Sequence, residues 1–228
     1  MKIKFGLVLF MLLSFPSWLF AQTSVTGRVV FEGVAPPVEK IEVKSDVATC
    51  GSVKEVKPLV LGQNNGVANA VVTIIGPKAE GVLPQKEGIL NQEKCEFSPH
   101  VQVLPVGSKL KITSGDPVLH NSHGFNEDGS TAFNIAVPIA GMEMPTTLKQ
   151  PGVIKLRCDA GHTWMSAYVI ATDQPYYAVT DTDGNFTIEG VPPGDYEIEV
   201  WQEWLGKHRE SITVKEGGEP VTVTLKKS

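Results

Sequence analysis

Along most of this chain, short apolar runs rich in Val, Ile and Thr break off at Gly, Pro, Asn or Asp. Val25-Thr-Gly-Arg-Val-Val-Phe31, Lys40-Ile-Glu-Val43, Ala70-Val-Val-Thr-Ile-Ile75 and Val101-Gln-Val-Leu104 have the length and β-branched content of strands. Lys109-Leu-Lys-Ile-Thr113, Val153-Ile-Lys-Leu156 and Tyr168-Val-Ile-Ala171 read the same way. No window sustains a long 3.6-residue period. Short strands with frequent turns predict an all-β chain built from sandwiches or barrels.

Past Ala171 the texture changes. Ala178-Val-Thr-Asp-Thr-Asp-Gly184-Asn-Phe-Thr-Ile-Glu-Gly190 reads as strand, Asp-Gly turn, strand. Val191-Pro-Pro-Gly-Asp-Tyr-Glu-Ile-Glu-Val200 adds a Pro-Gly turn and an alternating strand. Two further strands, 210–214 and 220–225, flank Gly217-Gly218.

The first 21 residues form a different pattern: Lys2 and Lys4, an apolar run from Phe5 to Phe20, then Ala21 before Gln22. This is the layout of a cleavable secretory signal, and its apolar run is short for a membrane span. Residues 1–21 are therefore expected to be removed, leaving an exported chain, periplasmic or secreted, with no membrane span. Without Lys2 and Lys4, 18 basic side chains face 25 acidic ones. That balance argues against nucleic acid as a partner, because phosphate contacts need a basic patch.

One stretch concentrates metal-binding chemistry. Cys158-Asp-Ala-Gly-His162-Thr-Trp-Met165 offers a thiol, an imidazole and a thioether, and His120-Asn121 lies 38 positions upstream. Thiolate suits Cu(I), imidazole suits both copper oxidation states, and a thioether supplies a weak axial contact. The pattern resembles the cupredoxins (plastocyanin, azurin, amicyanin), where His-Asn precedes a terminal Cys–His–Met loop. Phe97-Ser-Pro-His-Val-Gln-Val-Leu-Pro-Val-Gly107 and Ser114-Gly-Asp-Pro-Val-Leu-His120-Asn121 extend the resemblance upstream. It implies one type 1 copper held by His120, Cys158, His162 and Met165. It further implies that Asn121 bridges the two ligand loops and that Trp164 packs at the rim. The binuclear copper domain of cytochrome oxidase carries a second Cys where this chain has Ile154, so a single ion is expected. Zinc fits less well, since Met is a poor zinc ligand.

If Cys158 binds metal, Cys50 and Cys95 remain to form a disulfide across a loop of about 45 residues. The C-terminal block resembles carboxypeptidase regulatory-like (transthyretin-like) modules, with their T-D-x-D-G-x-F … P-P-G-x-Y signature. It is short for such a module, and the strands near 25–33 and 66–74 look like its opening strands. The expected organisation is a split sandwich of residues 22–79 and 173–228, with a cupredoxin-like domain of 80–172 inserted. The alternative is a cupredoxin of about 22–172 that uses those strands itself.

The remaining donors have plainer explanations. His123 and His100 read as surface or supporting residues, His208 as part of a polar turn, and Asp181 and Asp183 as turn formers. Met142 and Met144 raise the alternative of copper storage or delivery. A carbohydrate- or protein-binding sandwich with a vestigial copper loop is a third reading. No Ser/His/Asp set, Walker loop or GxGxxG motif appears. The chain resembles methylamine-utilisation plastocyanin-like exported proteins. The resemblance implies a non-enzymatic, outer-sphere electron carrier, with a periplasmic cytochrome or oxidoreductase complex as partner.

Overall fold

The computed structural model describes residues 23–76 and 82–227. The expected signal peptide, residues 1–21, lies outside them. Strands β1 (Thr23–Phe31), β2 (Glu39–Glu42), β3 (Val53–Val56), β4 (Val71–Ile75), β5 (Glu87–Glu93) and β6 (Glu96–Ser98) come first. Strands β7 (Val101–Pro105), β8 (Lys109–Thr113), β9 (His120–Phe125), β10 (Thr131–Val137), β11 (Glu143–Thr147) and β12 (Gly152–Arg157) follow. The last are β13 (Ser166–Thr172), β14 (Tyr177–Val179), β15 (Asn185–Val191), β16 (Gly194–Gln202), β17 (Gly206–Val214) and β18 (Val221–Leu225). A helical turn, α1 (Val47–Cys50), and a 3-10 turn at Gln63–Asn65 interrupt them.

These strands form an all-β molecule of two sandwiches. The sheets of the first have strand orders β10-β9-β12-β13-β7 and β11-β8-β5-β6. Period-2 alternation decides which side chains face inward: β5 buries Gly88, Leu90 and Gln92, leaving Ile89 exposed and Asn91 half-buried. Leu90, Leu110, Ile112 and Leu156 fill the core without exposed surface, each worth roughly 1.5–3 kcal/mol relative to leaving it in water.

The second sandwich pairs sheets β15-β1-β18 and β14-β4-β16-β17. Its core is Val29, Val72, Ile74, Ile198, Val200 and Val223. Strand β1 runs parallel to β18, with Gly27 opposite Val221 and Phe31 opposite Leu225. The N-terminal strand thus closes a sheet whose other members lie far along the sequence. Gly27 is required at that seam, because a Cβ there would stand 2.3 Å from the Val221 carbonyl oxygen.

Between β1 and β4 the chain leaves this sandwich. The β2–β3 hairpin, inside the segment 22–79 that the sequence assigned to the second module, packs Ile41, Val43, Cys50 and Val56 on the first core. Apolar residues on a two-stranded hairpin need a larger face to bury them, and the first sandwich supplies it. Tyr168, Val101, Val71 and Trp201 pack together between the sandwiches, with Tyr168 edge-on to Trp201 at 5.1 Å. No helix among the described residues is long and apolar enough to cross a membrane.

Candidate metal centre

Strand β9 alternates strictly. His120 and Ser122 point inward and are fully buried, while Asn121 and His123 are partly exposed. This sends His120 to the core and His123 to the opposite face. Strand β12 ends at Arg157, and the turn that follows places Cys158 and His162 beside His120. Cys158 Sγ lies 4.0 Å from His120 Nδ1 and 3.7 Å from His162 Nδ1. Metal–nitrogen and metal–sulfur bonds of about 2.1 and 2.3 Å hold such donors at most about 4.4 Å apart. The three side chains therefore fit one ion without moving apart. Met165 follows in the same loop, buried in the first core, and its N–H bonds the His162 carbonyl at 3.0 Å.

Both imidazoles present Nδ1 to the sulfur and give Nε2 to a carboxylate. His120 Nε2 meets Asp116 Oδ2 at 2.8 Å, and His162 Nε2 meets Asp46 Oδ2 at 3.1 Å. A carboxylate on the outer nitrogen fixes the tautomer with a bare lone pair on the inner one, which a metal ligand requires. Sequence reasoning missed both acids. Asp116 sits four residues before His120 within the family-like run, its only sequence signal; Asp46 has none.

Burial pushes the Cys158 thiol above its ordinary value, against the pull of N–H groups from Asn121, Ala160 and His162. Burial likewise pushes His120 down, although Asp116 opposes it. Asp116 would be raised by its own burial, yet the N–H of Cys95, the His120 ring and the N–H of Lys94 hold it low. The centre thus favours a neutral imidazole beside an ionised carboxylate.

The other expected positions fall as follows. The Asn121 N–H points at Cys158 Sγ at 3.4 Å, and its Oδ1 accepts the Asp159 N–H at 3.2 Å. It therefore ties the two loops together. The Trp164 indole N–H donates to the Cys95 carbonyl at 2.8 Å, and its ring lies 5.3 Å from that of His162. Cys50 and Cys95 form the disulfide, with Cα atoms 5.1 Å apart. Ile154 is buried core. His123 bonds Asp159 and Thr131, His100 bonds Glu203, and His208 bonds Glu210. Met142 and Met144 pack against the first core. Asp181 Oδ1 accepts the N–H groups of Asp183 and Asn185 within its own turn. A cleft of about 820 Å³ opens beside the loop between the sandwiches, lined in part by Trp164, Met165 and Tyr168.

Residues 159–226 match the carboxypeptidase regulatory-like domain family. The match begins inside the Cys158–Met165 loop and includes β13, which the structure pairs with β12 and β7 of the first sandwich. Only β14 to β18 of the second sandwich lie inside it; β1 and β4 are supplied from the N-terminal side. No curated protein matches the sequence. Similar solved structures include a purple cupredoxin from Nitrosopumilus maritimus, at 22% identity and TM-score 0.32, covering 37% of this chain and 99% of that one. Amicyanin from Paracoccus versutus matches at 17% identity and TM-score 0.34, over 44% of this chain and 97% of its own. A copper-containing nitrite reductase from Thermus scotoductus matches at 17% and 0.33, over 44% of this chain and 25% of its own.

Proposed function

We infer that this chain is an exported, mononuclear type 1 copper protein that passes electrons to a redox protein such as a periplasmic cytochrome. The observation that carries this reading is the convergence of His120 Nδ1, Cys158 Sγ and His162 Nδ1 within 4.0 Å of the shared sulfur. A thiolate with two imidazoles is the trigonal donor set of blue copper, and Met165 in the same loop is the candidate axial thioether. Copper bound there would supply one-electron chemistry.

The chain's own residues give that centre its rigidity. Asn121 locks the His120 strand to the Cys158 loop, and the two carboxylates hold both rings. His120 and His162 have no exposed surface, and Cys158 has little, so water is excluded from the donors. A centre that rearranges little between oxidation states suits outer-sphere transfer rather than turnover of a bound substrate. Packing of Met142 and Met144 on the core speaks against a copper-delivery role for that pair.

Copper reconstitution of the mature protein tests the reading. An intense thiolate-to-copper visible band that disappears in Cys158→Ser is expected. Copper binding without that band, or unchanged in Cys158→Ser, overturns it.

A further inference from the structure

His162 is closed off by a piece of chain from far upstream. Asp46 opens α1 with φ 54° and ψ 29°, a left-handed conformation that Asp tolerates better than most residues. Its carbonyl accepts the N–H groups of Thr49 and Cys50 at 2.9 and 2.8 Å. An Asp at a helix start ordinarily turns its carboxylate back onto the free N–H groups of the first turn. Asp46 makes no such bond. Its carboxylate reaches instead across 116 positions of sequence to His162 Nε2.

The same turn is anchored covalently. Cys50 closes α1 and is bonded to Cys95, whose carbonyl accepts the Trp164 indole N–H from the metal loop. The two sulfurs and a ring nitrogen of His162 all lie within 4.8 Å of one another. Disulfide, helical turn and carboxylate form one strut against the outer edge of the ring.

We propose that Asp46, tethered by the Cys50–Cys95 disulfide, is a positioning residue for His162. It accepts the Nε2–H, so Nδ1 stays bare toward Cys158, and the disulfide keeps the carboxylate at a fixed reach. The proposal rests on the reading of this cluster as a copper centre. Removing an outer partner of a metal-binding His typically weakens metal affinity 10–100-fold.

Two readouts test it: Cu(II) competition titration with electron paramagnetic resonance, and ring ¹⁵N NMR of the metal-free protein. Asp46→Ala is expected to weaken copper about 10–100-fold and alter the copper spectrum. It should also mix the His162 tautomers, which in the wild type carry the proton on Nε2. Asp46→Asn keeps an oxygen that accepts the Nε2–H and should restore the tautomer. Cys50→Ala/Cys95→Ala should weaken copper as well, and adding Asp46→Ala should then change little, because both act through one strut. An Nδ1–H tautomer in the wild type, or Asp46→Ala with unchanged tautomer and affinity, overturns the proposal. The Asp46 variants keep the disulfide, so they decide the matter even if the cysteine variant unfolds. If the wild type binds no copper, the copper reading fails, while the metal-free NMR still decides the strut.

Discussion

Asp116 joins Cys95 to His120 through a single oxygen: Oδ2 accepts the Cys95 N–H at 2.8 Å and meets His120 Nε2 at 2.8 Å. Its other oxygen accepts the Lys94 N–H at 2.7 Å. Lys94 and Cys95 form the β5–β6 turn with φ of 52° and 58°, a left-handed pair that costs about 1–2 kcal/mol per residue for non-glycine side chains. One carboxylate thus stabilises a strained turn, orients the His120 ring and seats half of the disulfide.

Asp116→Ala removes the acceptor for both turn N–H groups, and a buried unsatisfied group costs about 1–3 kcal/mol. Urea unfolding should show a loss of about 2–4 kcal/mol, with copper affinity falling together with it. Stability unchanged within error would mean that the turn holds itself.

Removing the Cys50–Cys95 bridge frees a separation of 45 residues. The chain-entropy account assigns such a loop roughly 3–4 kcal/mol. Cys50→Ala/Cys95→Ala should lower the denaturant midpoint accordingly.

The contact of His100 with Glu203, at 2.6 Å, links the two sandwiches. Burial lowers the His100 pKa, but the Glu203 carboxylate outweighs it and the net shift is upward from 6.5. A histidine raised in the folded state adds stability that is full below its unfolded pKa and is lost as pH rises through the folded one. The stability gap between wild type and Glu203→Gln should therefore be larger at about pH 5.5 than at about pH 9. A gap independent of pH would rule out protonated His100 as its source.

Gly184, in the Asp-Gly turn, has φ +82°, and a Cβ there would lie 2.4 Å from the Val29 carbonyl oxygen. The Gly184 carbonyl also accepts the Val29 N–H at 2.9 Å. Gly184→Ala should destabilise the second sandwich by more than about 2 kcal/mol, since strain and backbone overlap act together. A thermal melt checks this.

Much of the fold was legible because strand character is local. β-branched runs, turn residues and period-2 alternation each depend on a few neighbours. The cluster Cys158–His162–Met165 was legible for the same reason, since one turn carries all three. The Cys50–Cys95 pairing followed once Cys158 was set aside. The path of residues 39–56 was not legible: Ile41 and Val43 need an apolar face, but nothing in their spacing says which sandwich provides it.

What the sequence by itself determined is an all-β chain with His120, Cys158, His162 and Met165 as candidate donors for one soft metal ion. Only the tertiary structure decided that β1 runs beside β18, that β2 and β3 cross to the first sandwich, and that Asp46 and Asp116 hold the two imidazoles. Among 25 acidic residues, no local pattern marks those two. Alternation specifies the face a side chain takes, whereas its partner is set by which distant strand packs there. His162 meets Asp46 across 116 positions, a distance over which only the folded chain carries information.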